Sequence, residues 1–134
     1  QHHVGHTLFL AVVDEPDDKF KKIYKTVLDA QIKAEKEARP GMSGADIDDL
    51  ARSVIRDAGF GEYFGHSLGH GVGLQVHEQP WISANSKNIV KPGMVFTVEP
   101  GIYIPGWGGV RIEDVVVMQE TGVELLNKAK KMTI

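Results

Sequence analysis

The histidines of this chain fall into two groups, His2, His3 and His6, and then His66, His70 and His77. The second group lies in Phe64-Gly-His-Ser-Leu-Gly-His-Gly-Val-Gly-Leu-Gln-Val-His77, where imidazoles alternate with glycines. Glycine lets backbone approach a ligand or ion closely. Histidine is the commonest metal ligand and a ready proton carrier near neutral pH. The plain alternative is a glycine-rich turn carrying exposed histidines. Thr97-Val-Glu99-Pro-Gly101 ends an otherwise apolar strand with a carboxylate, and Pro-Gly turns the chain at once. A charge there is costly unless it is paired or bound to a cation; an exposed strand-end glutamate is the plain alternative. In Gly109-Val-Arg111-Ile-Glu113-Asp114, period-two alternation puts Arg111 and Glu113 on one strand face. They can pair with each other, or act as a metal ligand and its supporting partner. Taken together, His70, Glu99 and Glu113 offer one imidazole and two carboxylates on neighbouring strands. That donor set suits Mn²⁺, Co²⁺ or Zn²⁺ rather than a thiolate-loving ion. Two such ions about 3.5–4 Å apart can activate a water for hydrolysis.

Two similar-looking patterns are set aside. His77-Glu78-Gln79-Pro80 is not a zincin helix, because no second histidine follows and Pro80 would break that helix. Gly69-His-Gly71-Val-Gly73 precedes a strand rather than opening a helix, so it is not a dinucleotide fingerprint.

The elements that must hold these residues can be read from periodicity. Residues 7–13 form a short apolar run with β-branched content, a strand by composition. Asp14 is a candidate helix cap and Pro16 suits a first turn. Phe20, Ile23, Tyr24, Val27 and Leu28 then keep helical spacing, with Lys19, Lys21, Lys22 and Lys25 outside the stripe. A helix is expected from about Asp17 to Ala38, ended by Arg39-Pro40-Gly41. Ser43 and Asp46 resemble a capping box for a second helix, about Gly44 to Ala58, with Gly59 as its terminator. Its stripe is Ile47, Leu50, Ala51, Val54 and Ile55. Strands are expected at 72–77, 94–99, 101–104, 109–118 and 123–126, separated by Pro92-Gly93, Pro105-Gly106 and Thr121-Gly122. Helices segregated from a run of antiparallel strands imply an α+β fold.

Length and composition bound the rest. The chain has 134 residues, 42% of them hydrophobic and 25% charged, which fits one globular domain over 1–134. The formal net charge is -3 with no basic stripe, which argues against a nucleic-acid partner. No apolar run approaches the roughly 18 residues of a membrane span, and no secretory leader is evident. Cysteine is absent, which removes disulfides and thiolate chemistry and fits the cytoplasm.

Gly65-His66-Ser-Leu-Gly-His70-Gly-Val-Gly-Leu-Gln-Val-His77-Glu78, Lys91-Pro-Gly-Met-Val-Phe-Thr-Val-Glu99-Pro-Gly-Ile-Tyr and Gly108-Gly-Val-Arg111-Ile-Glu113-Asp114 occur in order. They closely resemble the C-terminal half of the Xaa-Pro peptidases: prolidases, proline aminopeptidases and creatinase relatives. The likeness runs from about residue 11 to 134. It implies half of a pita-bread fold, with two helices packed on a curved, mainly antiparallel sheet. It also implies a role for each residue. His70 matches the histidine metal ligand. Glu99 matches a ligand that also handles the proton of the attacking water. Glu113 matches the glutamate bridging two divalent ions. His66 and His77 match histidines that bind substrate and stabilise the tetrahedral intermediate, and Arg111 an arginine beside the bridging glutamate. The implied substrates are short peptides with proline at the second position. Gln75 departs from the acid that relatives often carry, at a position that is not a ligand.

The resemblance also exposes a gap. The family's catalytic domain is about twice as long, and its first half supplies two aspartate ligands. The second would fall near His6, where Gly5-His6-Thr7-Leu8 does not reproduce the family's pattern. Three readings stay open: an inactive half, a homodimer that rebuilds the site across a two-fold axis, or replacement nitrogens from His2, His3 and His6. Val95, Phe96, Val98, Val115, Val116 and Val117 are expected to form an apolar surface that favours the dimer. The activity expected is metal-dependent hydrolysis of Xaa-Pro bonds, with self-association completing the site. The rival is a non-catalytic scaffold that keeps the fold without the aspartates.

Overall fold

The computed structural model describes residues 6–9, 17–73 and 79–126. Helix α1 spans Asp18–Glu37. Asp17 caps it, its Oδ1 accepting from the Phe20 amide at 2.8 Å. The cap is therefore Asp17 rather than the expected Asp14, which lies outside the described residues. Phe20, Ile23, Tyr24, Val27, Ala30 and Ala34 are buried along one stripe, as the spacing requires. Helix α2 spans Gly44–Asp57 and opens with the expected reciprocal capping box between Ser43 and Asp46. Gly59 follows at φ +92°, a left-handed conformation natural only to glycine. No described helix is long and apolar enough to cross a membrane.

The strands are β1 (His6–Phe9), β2 (Gly69–His70), β3 (Trp81–Ile82), β4 (Val95–Val98), β5 (Gly101–Ile104), β6 (Gly108–Met118) and β7 (Val123–Leu125). All pairings are antiparallel, and β6 is the axis: β1, β4, β5 and β7 each hydrogen-bond to it. Of the strand expected over 72–77, Val72 and Gly73 are not in a strand and 74–77 lie outside the described residues. The extended pair is Gly69–His70. The short β3, whose Trp81 amide donates to Asn88 Oδ1 at 2.8 Å, is too brief for a period to reveal.

Along β6, Val110, Ile112, Asp114, Val116 and Met118 are buried, and Arg111, Glu113, Val115 and Val117 are half-buried on the opposite face. The buried face meets the helices in one core with Phe96, Val98 and Ile102. This corrects the expected apolar surface. Phe96, Val98 and Val116 lie in the helix-covered core, and only Val95, Val115 and Val117 remain on the other face, none of them fully exposed. A dimer therefore cannot be argued from those six residues. The architecture is α+β, two helices on a mainly antiparallel sheet.

Candidate metal centre and substrate site

Strands β4 and β5 are two halves of one line along the same edge of β6. Val98 pairs with Asp114 and Gly101 with Arg111. The register is unbroken through Glu99-Pro100, so Glu99 stands opposite Glu113. The Ile112 amide donates to Pro100 O at 3.3 Å. Pro100–Ile112 is thus a hydrogen-bonded pair, and Glu99–Glu113 falls at the closer, non-hydrogen-bonded type, with Cα atoms about 4.5 Å apart. Two carboxylates so placed repel unless a proton or cation lies near. Glu113 forms no ion pair with another described residue. On the other edge of β6, the backbone of His6 is in register with Glu113.

The free edge of β4 receives the histidine loop. Glu99 N donates to Leu68 O at 2.7 Å, and Val72 N to Val95 O at 2.9 Å. The His70 amide donates to Thr97 Oγ1 at 3.1 Å. This approach needs Gly69, where a Cβ would collide with the Thr97 carbonyl. His70 is thereby set diagonally from Glu99, and its Nε2 lies 3.6 Å from Glu99 Oε2.

The tautomer makes that distance informative. His70 Nδ1 contacts Gly71 O at 2.9 Å. A carbonyl only accepts, so Nδ1 carries the proton and the neutral ring leaves Nε2 as a bare lone pair. Carbonyl-held imidazoles of this kind are usual among metal ligands. In the neutral ring, Nε2 and the Glu99 oxygen are both electron-pair donors and can share a cation. Two ligand atoms each about 2.0–2.2 Å from one ion stand about 3–3.6 Å apart, and the observed gap fits that span. The donor set of His70, Glu99 and Glu113 therefore fits a divalent cation. Among the described residues no three histidine or acidic side chains already converge into a ready cluster.

Arg111 does not pair with Glu113, the first of the two alternatives, among the described residues. Its Nη1 lies 3.8 Å from Glu99 Oε1, so it faces the glutamate across the ladder rather than Glu113 on its own strand. It also lies beside Tyr103, whose phenol is pushed up from 10.0 mainly by burial; Arg111 pulls it down and Glu99 pushes it up.

His66 lies on the same side. Its Nδ1 contacts Ser67 O at 2.7 Å, which again places the proton on Nδ1. Nε2 is buried and without a hydrogen-bond partner among the described residues. The ring sits edge-on between Phe64 and Tyr103, with centroids 5.0 and 5.6 Å away. Its backbone is held from α2. Arg52 donates to Phe64 O at 2.7 Å and to His66 O at 2.9 Å, with its guanidinium 4.0 Å from the centre of the Phe64 ring. Asp48, 1% exposed, accepts from Arg52 and from the Leu68 amide.

His77, His2 and His3 lie outside the described residues, and of His6 only the backbone is described. The residues that sequence reasoning missed are Asp48, Arg52, Thr97 and Tyr103. Asp48 left a signal, a charge within a stripe of Ile47, Leu50 and Ala51. Tyr103 and Thr97 left none, because their role comes from cross-strand placement.

Residues 2–120 match the profile of metallopeptidase family M24. The chain is 47% identical, over its whole length, to the Xaa-Pro dipeptidase of Pyrococcus horikoshii and covers 38% of that protein. It is 51% identical over 90% of its length to the Xaa-Pro dipeptidase of Pyrococcus furiosus, covering 34% of it. Among solved structures, an Xaa-Pro dipeptidase from Bacillus anthracis superposes with a TM-score of 0.86 at 48% identity, covering 92% of this chain and 35% of that one. An X-Pro aminopeptidase from Thermotoga maritima gives 0.83 at 48% identity, with 90% and 34% covered. The chain spans little more than a third of the length of these relatives, and its two-helix, antiparallel-sheet architecture is half of their pita-bread fold. With a family profile matched across most of its length, the chain belongs to metallopeptidase family M24.

Proposed function

We propose that this chain is a metal-binding half of a peptidase that hydrolyses Xaa-Pro bonds, and that self-association completes its site. One observation carries the reading: His70 Nε2 facing Glu99 Oε2 at 3.6 Å, with Glu113 in register opposite Glu99. The names of the relatives, Xaa-Pro dipeptidases, support the substrate class: short peptides with proline at the second position.

In this reading His70, Glu99 and Glu113 hold one or two divalent ions, Mn²⁺ first, with Co²⁺ or Zn²⁺ as alternatives. The ions, when bound, supply Lewis acidity toward water and the scissile carbonyl. The chain's own residues do the rest. Glu99 accepts the proton of the attacking water. Arg111, at 3.8 Å, holds Glu99 in place. His66 presents its buried, unpartnered Nε2 to the substrate, with Phe64 and Tyr103 fixing the ring plane. His77 is assigned to the same substrate role by resemblance.

The experiment is to strip metal by dialysis against chelator, restore Mn²⁺ or Co²⁺, and follow proline release from a Xaa-Pro dipeptide. Metal-dependent turnover is expected, rising with protein concentration. No turnover with either ion at any concentration refutes the catalytic reading. A non-catalytic scaffold is the second reading, favoured by Gly5-His6-Thr7-Leu8 standing where the family's aspartate pattern is expected. Titration separates the two: a peptidase binds ions tightly at the site, and a scaffold does not.

A further inference from the structure

Pro100 creates a defect at the most sensitive point of the sheet. In an antiparallel hydrogen-bonded pair the two residues exchange both N–H···O bonds. Ile112 N donates to Pro100 O at 3.3 Å. The return bond to Ile112 O cannot form, because proline has no N–H. A buried carbonyl left without a donor is destabilising.

The missing donor comes from helix α1. Gln31 is fully buried, 0% exposed, in the stripe that otherwise carries Val27, Ala30 and Ala34. Its Nε2 donates to Ile112 O at 3.1 Å and to Val98 O at 3.2 Å. Its Oε1 has no hydrogen-bond partner among the described residues. The amide is therefore turned by its two donors, which only this orientation satisfies. Val98 and Ile112 immediately precede Glu99 and Glu113. One side chain thus ties together the two strands at the peptides that carry both carboxylates.

We infer that Gln31 is a positioning residue. It replaces the ladder bond lost at Pro100 and so fixes the spacing of Glu99 and Glu113. The effect on metal binding rests on the function proposed above; the repair of the ladder does not.

The test compares Gln31→Met, which keeps volume and removes both donors, with Val27→Ala, a neighbouring core truncation without polar consequence. Amide exchange at Ile112 and Asp114 is measured in each, relative to global stability, together with Mn²⁺ affinity by calorimetry. Gln31→Met is expected to speed exchange at those two amides about tenfold beyond Val27→Ala and to weaken Mn²⁺ about 10–100-fold. In a Pro100→Ala background, where a backbone N–H is restored to Ile112 O, the penalty of Gln31→Met should shrink at least threefold. Equal behaviour of Gln31→Met and Val27→Ala at Ile112 and Asp114, or no relief by Pro100→Ala, overturns the inference. If Gln31→Met alone does not fold, recovery of folding in the double variant supports it, and failure of both overturns it. If the unaltered chain binds no Mn²⁺, the metal reading fails and the exchange arm decides Gln31 by itself.

Discussion

Glu99 and Glu113 face each other across a close antiparallel pair, and Arg111 stands only 3.8 Å from the first. Like charges opposite one another in a sheet are destabilising by about 0.2–1 kcal/mol. A site of this kind trades apo stability for cation affinity. Glu113→Gln is therefore expected to stabilise the metal-free chain by about that amount in urea unfolding. The same variant should lose the stabilisation that added Mn²⁺ gives the unaltered chain. A variant less stable in both states would refute the repulsion argument. Tyr103 makes a separate prediction. Burial raises its phenol above 10.0, so the folded chain holds a proton that the unfolded chain releases. The contribution is complete below the unfolded value and is lost as pH rises through the folded one. Tyr103→Phe should flatten the alkaline fall in stability and leave the neutral region's shape unchanged, as thermal unfolding across pH would show.

At the scale of elements, the placement of His70 depends on Gly69 passing directly over Thr97. Gly69→Ala forces the loop off β4, because the new Cβ meets a backbone carbonyl rather than a yielding side chain. A loss of about 1–3 kcal/mol is expected by denaturant titration, with metal affinity falling at the same time. Retained affinity would mean that His70 reaches the site by another path. Much of this level was legible in the sequence. Both helices, the Ser43 capping box and β4 to β7 follow from stripes, caps and Pro-Gly turns, whose causes are local. The relation of Arg111 to Glu99 was not, since alternation along one strand says which face a residue takes and nothing about its neighbour across the ladder. Gln31 and Asp48 were visible as polar residues in apolar stripes, but a stripe cannot reveal which carbonyl or amide they serve. The strand Gly69–His70 was not legible either, because the glycine-rich loop is positioned by bonds to β4 rather than by its own side-chain pattern.

For the whole molecule, self-association predicts that metal stoichiometry per chain and sedimentation coefficient rise together with concentration. Tight binding by a form that sediments as a monomer at every concentration would place the complete ligand set within one chain. The architecture itself has a further consequence in time rather than in space. Every strand of the five-stranded sheet pairs with β6, which begins at Gly108. A chain being synthesised would present α1, α2 and the apolar segments of β4 and β5 before β6, the strand with which β4 and β5 pair. The helices can form early, but the sheet closes in a single late event built on contacts distant in sequence. Exposed strand edges waiting for a partner are the usual starting point for aggregation. The segment that carries Arg111 and Glu113 is thus also the one on which the newly made chain depends for its escape from misfolding.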